Sequence, residues 1–195
     1  MAFSNFKNVS QVIEQYPLRY KREEFLPDVP AKIPEWFMEN IKFSLNRQAE
    51  NENYFFFRES LIFPFLQQTW KHHNLLKLWS HQSLVYDEQL CGEPDYFISV
   101  WRDEVINKFV NTPLLAVVEA KKQDFEGGWG QCLAAMLACQ KNNQNENLTV
   151  YGIVSTGMIW EFGKLLRDTF TKHPLSYSIS EPQKVLGNLD YIGWY

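Results

Sequence analysis

Apolar residues in this chain gather into runs of two kinds, and the spacing within each run predicts the element it forms. Leu114-Leu115-Ala116-Val117-Val118 is an uninterrupted apolar stretch, of the length and β-branched character of a strand at the centre of a sheet. Tyr96-Phe97-Ile98-Ser99-Val100 predicts a second strand, preceded by the turn residues Gly92 and Pro94. Thr149 to Ser155 and Met158 to Phe162, separated by Thr156-Gly157, predict a hairpin, and Thr171 to Ser180 predicts one more strand. A short strand is expected at Ser83 to Tyr86, and another at Val105 to Val110 inside a polar excursion.

Helical spacing marks other stretches. Tyr54 to Trp70 is dense in apolar residues at intervals suited to a mostly buried helix, which Pro64 must kink or open in its second half. Gln131 to Lys141 reads as a helix that is apolar almost all round and rich in alanine, so it should lie close against the sheet. Gly127-Gly128 is expected to form a loop before it. Val9 to Tyr16, Glu35 to Gln48 and Glu181 to Tyr195 complete the helices. The order of elements implies an α+β (mixed α/β) fold, with a central mixed sheet flanked by helices.

With no repeat or low-complexity linker, the chain of 195 residues reads as a single domain. Residues 1–50 form a helical and irregular amino-terminal extension, 54–165 a core, and 171–195 a carboxy-terminal strand and helix. An apolar fraction of 45% excludes a disordered protein. Apolar runs well short of about 18 residues argue against a membrane span. The start of the chain lacks the basic and apolar segments of a secretory signal, so the expected location is cytoplasmic. Cys91, Cys132 and Cys139 form no close pair, which argues against a disulfide framework or a zinc knuckle. The net charge of −4 does not favour a nucleic-acid binder, although a local basic patch can still hold a phosphate backbone.

The candidate chemistry lies at the strand ends. Asp95 stands just before the Tyr96 strand, and Glu119-Ala120-Lys121 closes the Leu114 strand. Alternation points Glu119 and Lys121 to one face, which also carries Leu115 and Val117, and Ala120 to the other. If the two strands pair antiparallel, Asp95 lies beside Glu119. Two carboxylates, with the Ala120 carbonyl as a further ligand, suit Mg²⁺ or Mn²⁺, which is usually held by one or two carboxylates, water and phosphate. Lys121 would contact the attacking water or the scissile phosphate. The other reading is a salt bridge between Glu119 and Lys121 at a sheet edge, with Asp95 capping a turn.

In this arrangement the chain resembles the PD-(D/E)xK nuclease superfamily, the restriction-endonuclease-like fold, and in particular restriction-like proteins and the amino-terminal nuclease domains of type I restriction subunits. The resemblance covers roughly residues 54 to 165. It is carried by Arg58-Glu59-Ser60-Leu61-Ile62-Phe63-Pro64-Phe65-Leu66, Gly92-Glu93-Pro94-Asp95-Tyr96, Glu119-Ala120-Lys121, Gly130-Gln131-Cys132 and Val154-Ser155-Thr156-Gly157-Met158-Ile159-Trp160. It implies metal-dependent cleavage of DNA in which Asp95 and Glu119 bind the metal, Lys121 assists catalysis, Glu59 holds a metal or its water, and Gln131 lines the site. The aromatic residue that often follows that Gln is replaced by Ala135 and Met136. Double-strand cutting with one site per chain favours a homodimer. The alternatives are a catalytically silent binding or assembly module, and a nuclease acting on RNA.

Remaining candidates have plainer readings. His72-His73 with Lys71 and Lys77 reads as a solvated basic face, since adjacent histidines on a helix diverge. Arg19-Tyr20-Lys21-Arg22 reads as a charged surface turn rather than a nucleic-acid contact. Trp129 is expected to anchor a helix rather than stack on a base, and Lys122 is expected to point away from Lys121. Pro27-Asp28 repeats the Pro-Asp pair but lies in a proline-rich stretch far from Glu119.

Overall fold

The computed structural model describes residues 3–101 and 112–192. The strand expected at Val105 to Val110 lies outside the described residues, as does the end of the expected carboxy-terminal helix. After a short 3₁₀ turn at Phe3–Asn5 come α1 (Val9–Gln15), β1 (Arg19–Arg22), α2 (Glu35–Asn46) and α3 (Tyr54–Phe57). A π-helical turn at Arg58–Ile62 leads into α4 (Phe63–Lys71), followed by β2 (Leu76–Ser80), β3 (Leu84–Val85), β4 (Cys91–Gly92), β5 (Tyr96–Val100) and β6 (Leu114–Ala120). Then come α5 (Phe125–Asn143), β7 (Val150–Ser155), β8 (Ile159–Leu166), β9 (Thr169–Lys172), β10 (Tyr177–Ser178) and α6 (Pro182–Ile192).

Eight strands make one mixed sheet in the order β1-β9-β8-β7-β6-β5-β2, with β10 also pairing β8, while β3 and β4 form a separate two-stranded ladder. The pairs β6–β7 and β1–β9 are parallel and the rest antiparallel. Helices cover both faces. On one, Phe37 and Ile41 of α2, Phe65 and Leu66 of α4, and Val185 and Leu189 of α6 pack on Ile98, Val118, Ile153 and Phe162. On the other, Trp129, Leu133, Met136 and Leu137 of α5 pack on Phe97, Val117, Val154 and Phe170. This is the expected α+β class. A sheet buried on both faces explains why β6 is apolar at consecutive positions rather than at alternate ones.

The structure departs locally from the sequence reading at several places. Opposite β6, Ile98 faces Ala116 but Ser99 faces Leu114, so Leu115 is the extra residue of a β-bulge. The bulge sends Leu115 into the cluster of Ala116 and Val118, away from the face of Val117 and Glu119 on which simple alternation had placed it.

Gly127-Gly128 is not a loop. Asp124 caps α5 by accepting from the Gly127 N–H at 2.8 Å, and the helix starts at Phe125. The glycines there serve close approach. A Cβ on Gly130 would lie 2.6 Å from the Asn8 backbone nitrogen, and one on Gly128 would lie 2.7 Å from Val154 Cγ1.

Arg19–Arg22 is not a turn but an exposed edge strand, held by parallel pairing with β9. The single strand expected from Thr171 to Ser180 is divided between β9 and β10, with Lys172 already at the end of the first. The stretch Leu76–Ser80, which pairs with β5, was not anticipated.

Pro64 has the consequence its ring requires. With no N–H to donate and no room against the carbonyl four residues back, the helix widens before it, and the Phe63 N–H reaches five residues back to the Arg58 carbonyl. Pro64 then sits in the first turn of α4. The π-helical turn sets the directions in which Arg58 and Glu59 leave the backbone.

Candidate active site

The site is assembled from the start of β5, the end of β6, the first half of α5 and the π-helical turn. Antiparallel pairing of Tyr96 with Val118 brings the residue before β5 to the end of β6. The Ala120 N–H donates to Asp95 Oδ2 at 2.9 Å. Asp95 and Glu119 are 8% and 5% exposed, and the charge of Asp95 acts on the Glu119 carboxyl group. The condition set by the sequence reading, that the two strands pair antiparallel and set Asp95 beside Glu119, is met.

Lys121 lies one residue past β6, but its backbone N–H continues the ladder to the Ser155 carbonyl at 2.8 Å. Its side chain therefore returns to the Glu119 face. There Nζ lies 3.3 Å from Glu119 Oε2 and donates to Gln131 Oε1 at 2.7 Å. Gly128 makes room for this: a Cβ there would lie 3.0 Å from Lys121 Cγ. Ala120 turns its methyl into the opposite core, and Lys122 is exposed.

Burial drives the electrostatics. Removal from water, and then the neighbouring Asp95, push the Glu119 carboxyl up to about 8, against the opposing pull of Lys121. Glu119 therefore keeps its proton to a higher pH than a carboxyl group in water. Tyr54 donates its hydroxyl to Asp95 Oδ1, and burial followed by the Asp95 charge raises its own ionisation well above the usual tyrosine range. Arg58 Nη1 stands 3.6 Å and His81 Nε2 3.8 Å from the same oxygen, and Arg58 and His81 touch each other.

The fold brings together Asp95, Glu119, Lys121 and Gln131. Glu59 is not gathered with them: its side chain is 67% exposed and meets Arg58 Nη2 at 3.1 Å. The helix residue turned toward Asp95 is Arg58. Tyr54, Arg58 and His81 were not singled out from sequence. The signal for the first two was present, because Tyr54 and Arg58 stand four apart at the head of an apolar helix, on one face. Nothing marked His81, which enters through the β2–β5 pairing and a left-handed backbone with φ 51°.

A divalent ion suits this donor set. Asp95 and Glu119 are both buried carboxyl groups, and one or two carboxylates are the usual protein contribution to a magnesium site. Among the described residues no three His, Cys, Asp or Glu side chains surround one point, so the remaining ligands would be the Ala120 carbonyl, water and phosphate.

The other candidates fall outside this cluster. His72 and His73 lie beside Asp190 at 3.4 and 3.9 Å. Lys71 lies over the Trp36 ring, and Lys77 over Trp70 and Trp79. Trp129 is buried in α5 and donates its indole N–H to Glu161 Oε2 at 2.6 Å, which is the anchoring role expected of it. Among the described residues no helix is long and apolar enough to cross a membrane. No protein-family model matches the chain, and no curated protein matches it in sequence.

Proposed function

We propose that this chain hydrolyses phosphodiester bonds of DNA with Mg²⁺ or Mn²⁺, in the manner of the PD-(D/E)xK nucleases that its sequence resembles. The observation that carries this reading is the burial of Asp95 and Glu119 at adjoining ends of β5 and β6, with the Ala120 N–H bonded to Asp95 and the Lys121 ammonium 3.3 Å from Glu119.

Asp95, Glu119 and the Ala120 carbonyl would hold the ion. A bound Mg²⁺ or Mn²⁺ supplies an acidified water and neutralises charge on phosphate oxygens. Asp95 is oriented for its part by the Ala120 N–H and the Tyr54 hydroxyl. Lys121 is oriented by Gln131 and Glu119, which leaves one ammonium proton to meet the attacking water or a phosphate oxygen. Apolar walls from Val117 and Val154 keep the local dielectric low, which strengthens each of these charge contacts.

The test is cleavage of supercoiled plasmid with Mg²⁺ or Mn²⁺ by the wild type, Asp95→Asn and Lys121→Ala. Nicking by the wild type and its loss in both variants supports the assignment, whereas equal nicking by all three contradicts it. A second reading has one observation in its favour: Asp95 Oδ1 already engages Tyr54 and stands near Arg58. A catalytically silent module with this fold would show no cleavage and no metal uptake that depends on Asp95. Competition between DNA and RNA substrates decides which nucleic acid is cut.

A further inference from the structure

Among the described residues, Arg58 is a buried charge that the proposed reaction leaves without a role. Its side chain is only 9% exposed, and its guanidinium lies 5.4 Å from the Tyr54 ring centre and 4.8 Å from that of Phe55. Burying a guanidinium is costly unless its donors are used. Here they are used incompletely. Nη2 meets Glu59 at 3.1 Å, and Nη1 touches His81. The approach of Nη1 to Asp95 Oδ1, at 3.6 Å, is too long for a charge-assisted hydrogen bond. Nε is buried with no hydrogen-bond partner at all. The backbone beneath it is the π-helical turn, a distortion that recurs at functional positions.

We infer that Arg58 has two successive partners: Asp95 while the site is empty of substrate, and a phosphate group of the nucleic acid when substrate is bound. This inference rests on the metal-dependent reading of Asp95 and Glu119. The guanidinium is a planar fork of five donors whose geometry matches phosphate oxygens. Burial against the Tyr54 and Phe55 rings confines the guanidinium, so little rotamer freedom remains to be lost on binding. The loose contact with Asp95 neutralises the carboxylate without committing the fork. A divalent ion bound by Asp95 would face a positive charge close to one of its own ligands, and so would compete with Arg58 for the carboxylate. A phosphate entering beside the ion relieves that repulsion by taking the guanidinium. Arg58 would thus couple metal and substrate binding, and its removal should move the two affinities in opposite directions. A residue with a purely structural role would lower both.

The test uses the full chain. Mn²⁺ binding is measured by calorimetric titration, and steady-state cleavage of a duplex oligonucleotide is measured alongside, for the wild type, Arg58→Gln and Arg58→Lys. Melting curves confirm folding. For Arg58→Gln, loss of the competing charge is expected to tighten Mn²⁺ binding about three-fold or more. Loss of the charge-assisted contact should lower kcat/KM on DNA about ten-fold or more. Arg58→Lys keeps the charge but not the fork, so its Mn²⁺ affinity stays near wild type while kcat/KM falls. Unchanged or weaker Mn²⁺ binding in Arg58→Gln overturns the inference, as does undiminished cleavage by either variant. If Arg58→Gln does not fold, the lysine variant decides: retained Mn²⁺ affinity with reduced kcat/KM supports the inference, and full kcat/KM contradicts it. Absence of Mn²⁺ binding by the wild type removes the metal-dependent reading itself, and the inference with it. Mn²⁺ binding and cleavage by the wild type with no opposing shifts in the variants removes the inference alone.

Discussion

The Ala120 N–H donates to Asp95 Oδ2 at 2.9 Å, so the carboxyl group that faces Glu119 also ties the start of β5 to the end of β6. Removing the side chain leaves a buried N–H without its acceptor. Asp95→Ala is therefore expected to lose about 1–3 kcal/mol of stability. Asp95→Asn should lose less, because a carboxamide oxygen can still accept that bond. Urea denaturation of both variants measures this, and equal stability of Asp95→Ala and the wild type would show that the tie contributes nothing.

The Glu119 carboxyl, raised to about 8 by burial and by Asp95, makes stability depend on pH in a definite direction. The unfolded chain releases this proton near the ordinary value of 4.5, while the folded chain keeps it until about 8. Between those limits the folded state binds more protons, so the metal-free protein loses stability as pH rises from the lower value through the higher one. Melting temperatures across that range should fall, and Glu119→Gln should flatten the curve. On the proposed metal-dependent reading, Mg²⁺ would bind the ionised form, and its addition should stabilise most at the alkaline end. A wild-type curve that rises through this window would contradict the assignment.

Lys121 and Gln131 form a contact of 2.7 Å that fixes where the ammonium stands. Lys121→Ala is expected to lower DNA cleavage about 100-fold or more, the scale of one lost transition-state donor. Mn²⁺ binding should survive, since a cation has been removed rather than a ligand. Gln131→Ala should give a smaller loss in the same direction. Rates from gel assays with calorimetry in parallel check both, and cleavage by Lys121→Ala at the wild-type rate would remove the residue from the mechanism.

Gly128 lets α5 lie directly against Val154 and the stem of Lys121. A methyl there would come within 2.7 Å of Val154 Cγ1 and 3.0 Å of Lys121 Cγ. Gly128→Ala is thus expected to cost about 1–3 kcal/mol through overpacking and to reduce cleavage by displacing Lys121. Denaturation and activity assays on the purified variant report the two effects separately. An alanine variant more stable than the wild type would mean that helix propensity outweighs the clash.

The parts of this fold legible in the sequence are those whose signal is local. β6 announces itself because a strand covered on both faces must be apolar throughout. The disturbance at Pro64 is legible because a missing N–H acts on its own helix. Features belonging to pairs of elements are not. The bulge that turns Leu115 over belongs to the β5–β6 register. β1 carries no buried residue to mark it and exists through its pairing with β9. Gly127-Gly128 has the composition of a loop, and only the nearness of Val154 and Lys121 explains it inside a helix.

The site divides in the same way. Asp95, Glu119, Lys121 and Gln131 stand on elements that the sequence marks clearly. Arg58 and His81 reach Asp95 only through a π-helical turn and an unanticipated strand pairing. Glu59, assigned by resemblance, leaves the same turn toward solvent.

Asp95 and Glu119 are proposed to take up a divalent cation together, and calorimetric titration of the metal-free chain with Mn²⁺ tests this most directly. The wild type should show a saturable site, and a variant carrying Asp95→Asn with Glu119→Gln should show none while keeping its fold by circular dichroism. No uptake by the wild type, or the same uptake by both proteins, would contradict the claim.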